Sequence, residues 1–187
     1  MQTTQTRPVH DGNATTRTRE KGAYQEATLG FRNYWYPIFS SREISERPRR
    51  FTICGDHIVL MRRKGKAYAI AEYCPHRGTS LALYPEKTYP FKGSTTITCP
   101  YHGWTFDVTD GKCVAVVCEG PDSRVPGTVK TKTYPLQERN GIVWIWMGEM
   151  EPVPLEEDWP KFIFREDTVV KMVNRVKNGN WRWHAEN

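Results

Sequence analysis

Two short segments, Cys74-Pro75-His76-Arg77-Gly78 and Cys99-Pro100-Tyr101-His102-Gly103, constrain this chain more than anything else in it. Each carries one thiol and one imidazole, spaced C-x-H in the first and C-x-x-H in the second. Gly78 and Gly103 follow the histidines, where a tight loop needs a residue that tolerates positive φ. Pro75 and Pro100 stiffen the same loops and remove an N–H that would otherwise need a partner. A fold that uses these four side chains together must bring two loops to one place.

Two thiolates and two imidazoles are the ligand set of a mixed [2Fe–2S] cluster, two sulfurs on one iron and two nitrogens on the other. On that reading Cys74 and Cys99 hold one iron, and His76 and His102 hold the other. Neutral imidazoles remove negative charge, so an incoming electron is repelled less and the potential rises above that of an all-cysteine cluster. Zinc also takes two Cys and two His, which keeps a zinc-stapled interaction module open. Zinc modules usually pair like with like, C-x(2–4)-C then H-x(3–5)-H, whereas both arms here are mixed. Two Cys-Pro arms with matching glycines also argue against four unrelated residues.

The motifs C-P-H-R-G and C-P-Y-H-G-W resemble the Rieske domain of the Rieske non-haem iron oxygenases, the family of the ring-hydroxylating alpha subunits. Arg32-Asn33-Tyr34-Trp35-Tyr36-Pro37 is similar to that family's opening segment, and Gly141-Ile142-Val143-Trp144-Ile145-Trp146-Met147-Gly148 to its closing strand. The resemblance covers about residues 24–187. It implies a mostly β fold: a Rieske-type antiparallel β-sandwich or barrel-like domain with a two-loop subdomain that binds the cluster. One departure is visible. Twenty-two residues separate His76 from Cys99, several more than the family usually has. The excess falls in Tyr84–Gly93, a surface loop by its Pro, Gly and charges.

Respiratory Rieske proteins resemble C-x-H-x-x-C and C-x-C-H-G-S, with a disulfide between the loops. Thr79 and Tyr101 stand at those extra cysteine positions here, and Trp104 replaces the Ser. No disulfide bridges the loops, and a hydroxyl donor near a bridging sulfur is lost. Fewer donors to sulfur imply a lower potential within the Rieske range, toward roughly −150 mV. Trp104 is expected to shield the cluster from water, and Arg77 to orient a carboxylate or make an exposed salt bridge.

At 187 residues there is room for one core and an appended piece. No apolar run approaches the ~20 residues of a membrane span. The N-terminus lacks a secretory h-region. A cytoplasmic protein with no membrane association is expected. Five cysteines include two proposed ligands; Cys54, Cys113 and Cys118 read as buried free thiols. The net charge of +6 is spread over scattered residues, which points to a solvated surface or a modest positive face for an acidic redox partner, and not to nucleic acid.

Residues 1–22 are polar with almost no large apolar side chains and read as a disordered tail. Residues 23–148 form the Rieske domain. Strands are expected at Phe51–Cys54, His57–Arg62, Ala67–Tyr73, Thr95–Cys99, Thr105–Val108, Cys113–Val117, Lys132–Pro135 and Ile142–Met147, with a helical turn within Ser40–Glu46. Gly55-Asp56, Lys64-Gly65, Asp110-Gly111 and Asn140-Gly141 mark hairpin turns. The aromatics of Ile142–Trp146 are expected simply to pack. His10 and His57 have no ligand-like neighbours.

Residues 149–160 are acidic and broken by proline, which reads as a linker. Phe162–Val176 looks like the start of another sheet, opening a catalytic domain over 161–187. Asn180-Trp181-Arg182-Trp183-His184-Ala185-Glu186-Asn187 resembles the N-W-[KR]-x-x-x-E-N segment that precedes the catalytic iron ligands of the oxygenases. In that family an Asp, two His and a later carboxylate follow, supplying a 2-His-1-carboxylate site for mononuclear Fe(II). Asn187 lies at the edge of that site, and His184 reads as a packing or surface residue. A truncated chain is expected, with no catalytic residue of its own and no activity alone.

The resemblance implies that the parent is a terminal oxygenase hydroxylating or oxidatively demethylating an organic substrate of aromatic character. An NAD(P)H-dependent reductase or a ferredoxin loads the cluster, the electron leaves through His102, and the parent assembles as a trimer. A free-standing Rieske ferredoxin, a pure electron carrier, is the alternative.

Overall fold

The computed structural model describes residues 27–84, 94–175 and 178–186. The expected polar tail, the loop after Tyr84 and Asn187 lie outside the described residues. Among the described residues ten strands form: β1 (Trp35–Ser40), β2 (Arg49–Ile53), β3 (Asp56–Arg63), β4 (Lys66–Ala71), β5 (Thr96–Thr98), β6 (Trp104–Asp107), β7 (Cys113–Val116), β8 (Thr133–Tyr134), β9 (Leu136–Arg139) and β10 (Ile142–Trp146). They pair antiparallel in three sheets, ordered β1-β10-β9, β2-β3-β4-β8 and β5-β6-β7. The mostly β architecture is the one expected. No helix among the described residues is long and apolar enough to cross a membrane.

The layering follows from strand periodicity. Successive side chains on a strand point to opposite faces. On β3, Ile58, Val59, Leu60 and Met61 are all fully buried. Ile58 and Leu60 join a core with Ile38, Val143 and Ile145 of the first sheet. Val59 and Met61 join a second core with Ile97, Phe106 and Val116 of the third sheet. The β3 sheet is therefore the shared middle layer. β10 repeats the pattern one layer out: Val143 and Ile145 face the β3 sheet, while Ile142, Trp144 and Trp146 face outward with Trp35 and Leu155. Each fully buried side chain of this size contributes roughly 1.5–3 kcal/mol.

The outward Trp face is covered by the chain after β10. Leu155 is fully buried at the start of α1 (Leu155–Asp158). Trp35 Nε1 donates to Val153 O at 2.7 Å, Trp159 Nε1 to Trp35 O at 2.9 Å, and the Trp35 main-chain N–H to the Asp158 carboxylate at 2.6 Å. The acidic stretch expected as a linker is thus packed down, because Val153, Leu155 and Trp159 interleave its charges. The sheet expected from Phe162 does not form. Lys161–Phe164 is a 3-10 turn, and no strand follows in the described residues. Val170 and Met172 pack on the Trp face while Val169 is 96% and Val173 64% exposed. The alternation is real, but it reports one-sided burial of an unpaired extended chain. A short helix, α2 (Trp181–Glu186), contains His184.

Two strands were not expected. β1 carries Pro37, a residue that argues against a strand, but the register slips between Pro37 and Phe39 and accommodates it at the sheet edge. β9 reads Leu-Gln-Glu-Arg and is the opposite edge of that sheet, where charge deters further pairing.

Both motif segments are hairpin tips. Thr98 pairs with Thr105 around the second, and Tyr73 bridges Ser80 around the first. Each encloses six residues, and their main chains bond alike. Cys74 N–H donates to Thr79 O at 2.9 Å and Gly78 N–H to Cys74 O at 2.9 Å. Cys99 N–H donates to Trp104 O at 2.7 Å and Gly103 N–H to Cys99 O at 3.0 Å. Gly78 and Gly103 have φ of 68° and 69°. They differ in surroundings: a Cβ on Gly78 meets nothing within 4 Å, whereas one on Gly103 lies 2.7 Å from Val117 Cβ.

The first hairpin turn, Cys54-Gly55, has positive φ at both residues and leads into Asp56. Asp56 accepts from the Arg32 guanidinium, from Lys132 Nζ at 3.2 Å and from the Tyr134 hydroxyl at 2.9 Å. It ties the incoming chain and β8 to the start of β3. The Arg32 bond, then Tyr134 and Lys132, outweigh burial and hold its carboxyl down to about 2.

Two outcomes follow from these contacts. Gly78→Ala should lose about 1–2 kcal/mol, the cost of a left-handed L-residue, and Gly103→Ala clearly more because of Val117; denaturant titration of both variants checks the order. Asp56 has a folded pKa below its ordinary value of 3.8, so its contribution is complete above about pH 4 and is lost as pH falls through 2. Screening of this partly exposed carboxylate leaves about 1–2 kcal/mol. Asp56→Asn should lower the melting temperature at pH 7 and flatten its fall between pH 4 and 2.

Candidate metal centre

The two hairpin tips meet. Cys74 and Cys99 are 2% and 3% exposed and lie in the same core, between the β3 sheet and the β5-β6-β7 sheet. The His76 and His102 rings lie 4.8 Å apart between centroids, at 60°. His76 is exposed, and His102 is half-buried with the Tyr101 ring 3.7 Å away. Thiols thus sit inward and imidazoles outward. All four expected ligand residues are brought together although a long insertion separates the loops.

The two thiols differ in how readily they deprotonate. They share a hydrogen bond, which holds Cys99 down to about 6 and pushes Cys74 up. The main-chain N–H groups of His76 and Arg77 bond the Cys74 sulfur, and those of Tyr101 and His102 bond the Cys99 sulfur. Each donor favours thiolate, the form that ligates metal. In both loops the donors are the second and third residues after the cysteine, as the shared loop geometry requires.

His102 Nδ1 is buried and has no hydrogen-bond partner among the described residues. A buried ring nitrogen in that state is expensive unless something else bonds it. Its neighbours are the other imidazole and two buried thiols, so the donor set fits an iron–sulfur cluster. Zinc would need all four ligands on one ion. Among the described residues no group of three or more His, Cys, Asp or Glu is arranged to hold a single metal ion. Ligands divided two and two over a cluster that brings its own sulfides escape that requirement.

Trp104 is 9% exposed, and its ring lies parallel to His76 at 4.7 Å and 6°. Arg77 is exposed and makes no ion pair among the described residues. Cys54 and Cys113 are buried as expected, but Cys118 is exposed. It lies beyond the end of β7, past the last β7 residue packed in the core, Val116. There its thiol donates to His102 O at 2.8 Å, and Val117 N–H donates to Gly103 O at 3.0 Å. These two residues hold the second loop from outside, a role with no signal in the sequence. His57 stands apart, bonded to Thr52 at 3.1 Å and edge-on to Tyr73.

Residues 34–135 match the profile of the Rieske [2Fe-2S] domain. The chain is 39% identical over 168 residues to the carbazole 1,9a-dioxygenase terminal oxygenase component CarAa of Metapseudomonas resinovorans, covering 88% of this chain and 42% of that protein. It is also similar to the solved terminal oxygenase of carbazole 1,9a-dioxygenase from Novosphingobium sp. KA1, with TM-score 0.80, 38% identity, and 88% and 43% of the two chains covered. The reduced complex between oxygenase and ferredoxin in carbazole 1,9a-dioxygenase gives TM-score 0.79 at 36% identity, covering 88% and 41%. The chain spans less than half the length of these relatives. Hairpin tips with matching main-chain bonds, a two-thiol, two-imidazole donor set and a profile match over more than half the sequence converge: this chain belongs to the Rieske [2Fe–2S] domain family.

Proposed function

We propose that Cys74 and Cys99 hold one iron of the cluster and His76 and His102 the other, and that the chain is the electron-transfer part of a terminal oxygenase. The observation that carries this is the buried, unpartnered Nδ1 of His102 beside two thiols already surrounded by main-chain donors. When bound, the cluster supplies one-electron acceptance and donation. The protein's own residues set the conditions. Main-chain N–H groups stabilise the thiolates, Trp104 covers the inner side of His76, and the Val117–Cys118 bonds fix the loop that carries His102.

His76 and His102 are the parts of the site nearest solvent, so electrons pass there, leaving through His102. Arg77, exposed beside His76, is placed to meet a carboxylate of a partner. Similarity to an oxygenase seen in complex with ferredoxin supports a ferredoxin as the donor. The same proposal includes an NAD(P)H-dependent reductase, a trimeric parent, a mononuclear non-haem iron site outside this chain, and an aromatic substrate of the kind named for the carbazole enzymes.

Reconstitution with iron and sulfide should give two irons and two sulfides per chain and a low-g EPR signal on reduction. Cys74→Ala and Cys99→Ala should abolish both. His102→Cys should retain iron but move the signal and the potential toward the all-cysteine type. A sample that binds zinc and shows no such signal contradicts the assignment. Supplied with reductase and ferredoxin, the loaded chain should take up one electron per cluster and leave carbazole unoxidised; product formation would contradict its role as the electron-transfer part alone.

A further inference from the structure

Most indole N–H groups among the described residues are paired. Trp35, Trp144, Trp146, Trp159 and Trp181 each donate to a main-chain carbonyl, at 2.7, 3.3, 2.9, 2.9 and 3.1 Å. Trp104 departs from this. Its Nε1 is buried and has no hydrogen-bond partner among the described residues, and the only other such side-chain atom is His102 Nδ1. Leaving a buried donor unpaired is costly. An acceptor is therefore expected where Trp104 Nε1 points, and no group among the described residues provides it.

We propose that the Trp104 indole N–H donates to a sulfur of the cluster and thereby sets its potential. The inference rests on the ligand assignment above. Trp104 directly follows the Cys99–Gly103 loop, and its main-chain carbonyl already accepts from Cys99 N–H at 2.7 Å. Its ring is parallel to the His76 imidazole, 4.7 Å away. A metal held by a His76 ring nitrogen would be approached from the edge of this stack, the side on which the indole N–H also lies in its own ring plane. An in-plane N–H bond is suited to reach that edge. Cluster sulfurs carry negative charge and accept hydrogen bonds, more strongly after reduction. The donor lost with the serine of respiratory Rieske sequences is thus restored at the same position by a different group.

Trp104→Phe keeps a stacked ring and removes the N–H. With the cluster loaded, it should show about a tenfold loss of preference for the reduced state, a fall in midpoint potential of about 59 mV for a one-electron couple. Wild-type protein carrying 15N-indole tryptophan should show a 15N coupling to the reduced cluster in pulsed EPR, absent from Trp104→Phe. An unchanged potential in a fully loaded variant overturns the inference. So does a loaded wild type without the tryptophan coupling, which decides the matter even where the variant fails to hold a cluster. A wild type that takes up no iron and sulfide overturns the ligand assignment itself.

Discussion

Cys74 and Cys99 each spend their main-chain N–H and C=O inside their own loop, on the fifth and fourth residues that follow. That closure decides the rest of the site. It turns the next N–H groups toward each sulfur, requires a left-handed residue at Gly78 and Gly103, and leaves the histidines to project from the outer side. The loops are equal in length, and the histidine simply exchanges places with its neighbour: His76-Arg77 in one, Tyr101-His102 in the other. Two nearly equivalent hairpin tips facing each other give two inner sulfurs and two outer nitrogens.

The loops meet because the body beneath them is stacked from strands buried on both faces. β3 and β10 have no solvent side, so each must be covered twice. The third sheet, which carries the second loop, is held against β3 by Val59 and Met61 packing on Phe106 and Ile97. Cys74 and Cys99 are part of this same core, so the geometry of the two loops and core packing are coupled. The far side of the stack, the Trp face of β10, is sealed by the chain that follows it.

Much of this was legible in the sequence. The paired Cys and His of the two loops, the glycines, most hairpin turns and most strands stand where pattern and spacing put them, because they depend on local chemistry, while the first turn falls one residue early, on Cys54-Gly55 and not Gly55-Asp56. Three features were not legible for definable reasons. Val169–Val173 alternates like a strand, yet alternation measures one-sided burial and not hydrogen-bonded pairing. Residues 149–160 looked like a linker because their charges outnumber their anchors, although Leu155 among them is fully buried. Cys118 looked like a core thiol, but β7 ends before it and exposes it beside the His102 carbonyl.

The sequence by itself determined which groups are available, two thiols and two imidazoles on equal glycine-closed loops, because short-range sterics and ligand chemistry need only neighbours. Tertiary structure alone decided that the loops face one another, that Val117 and Cys118 hold the second from outside, and that Trp104 is left with an unpaired N–H against His76. Those relations join residues well apart in the sequence, and only the folding of the hairpins and the packing of the layers set the distances between them.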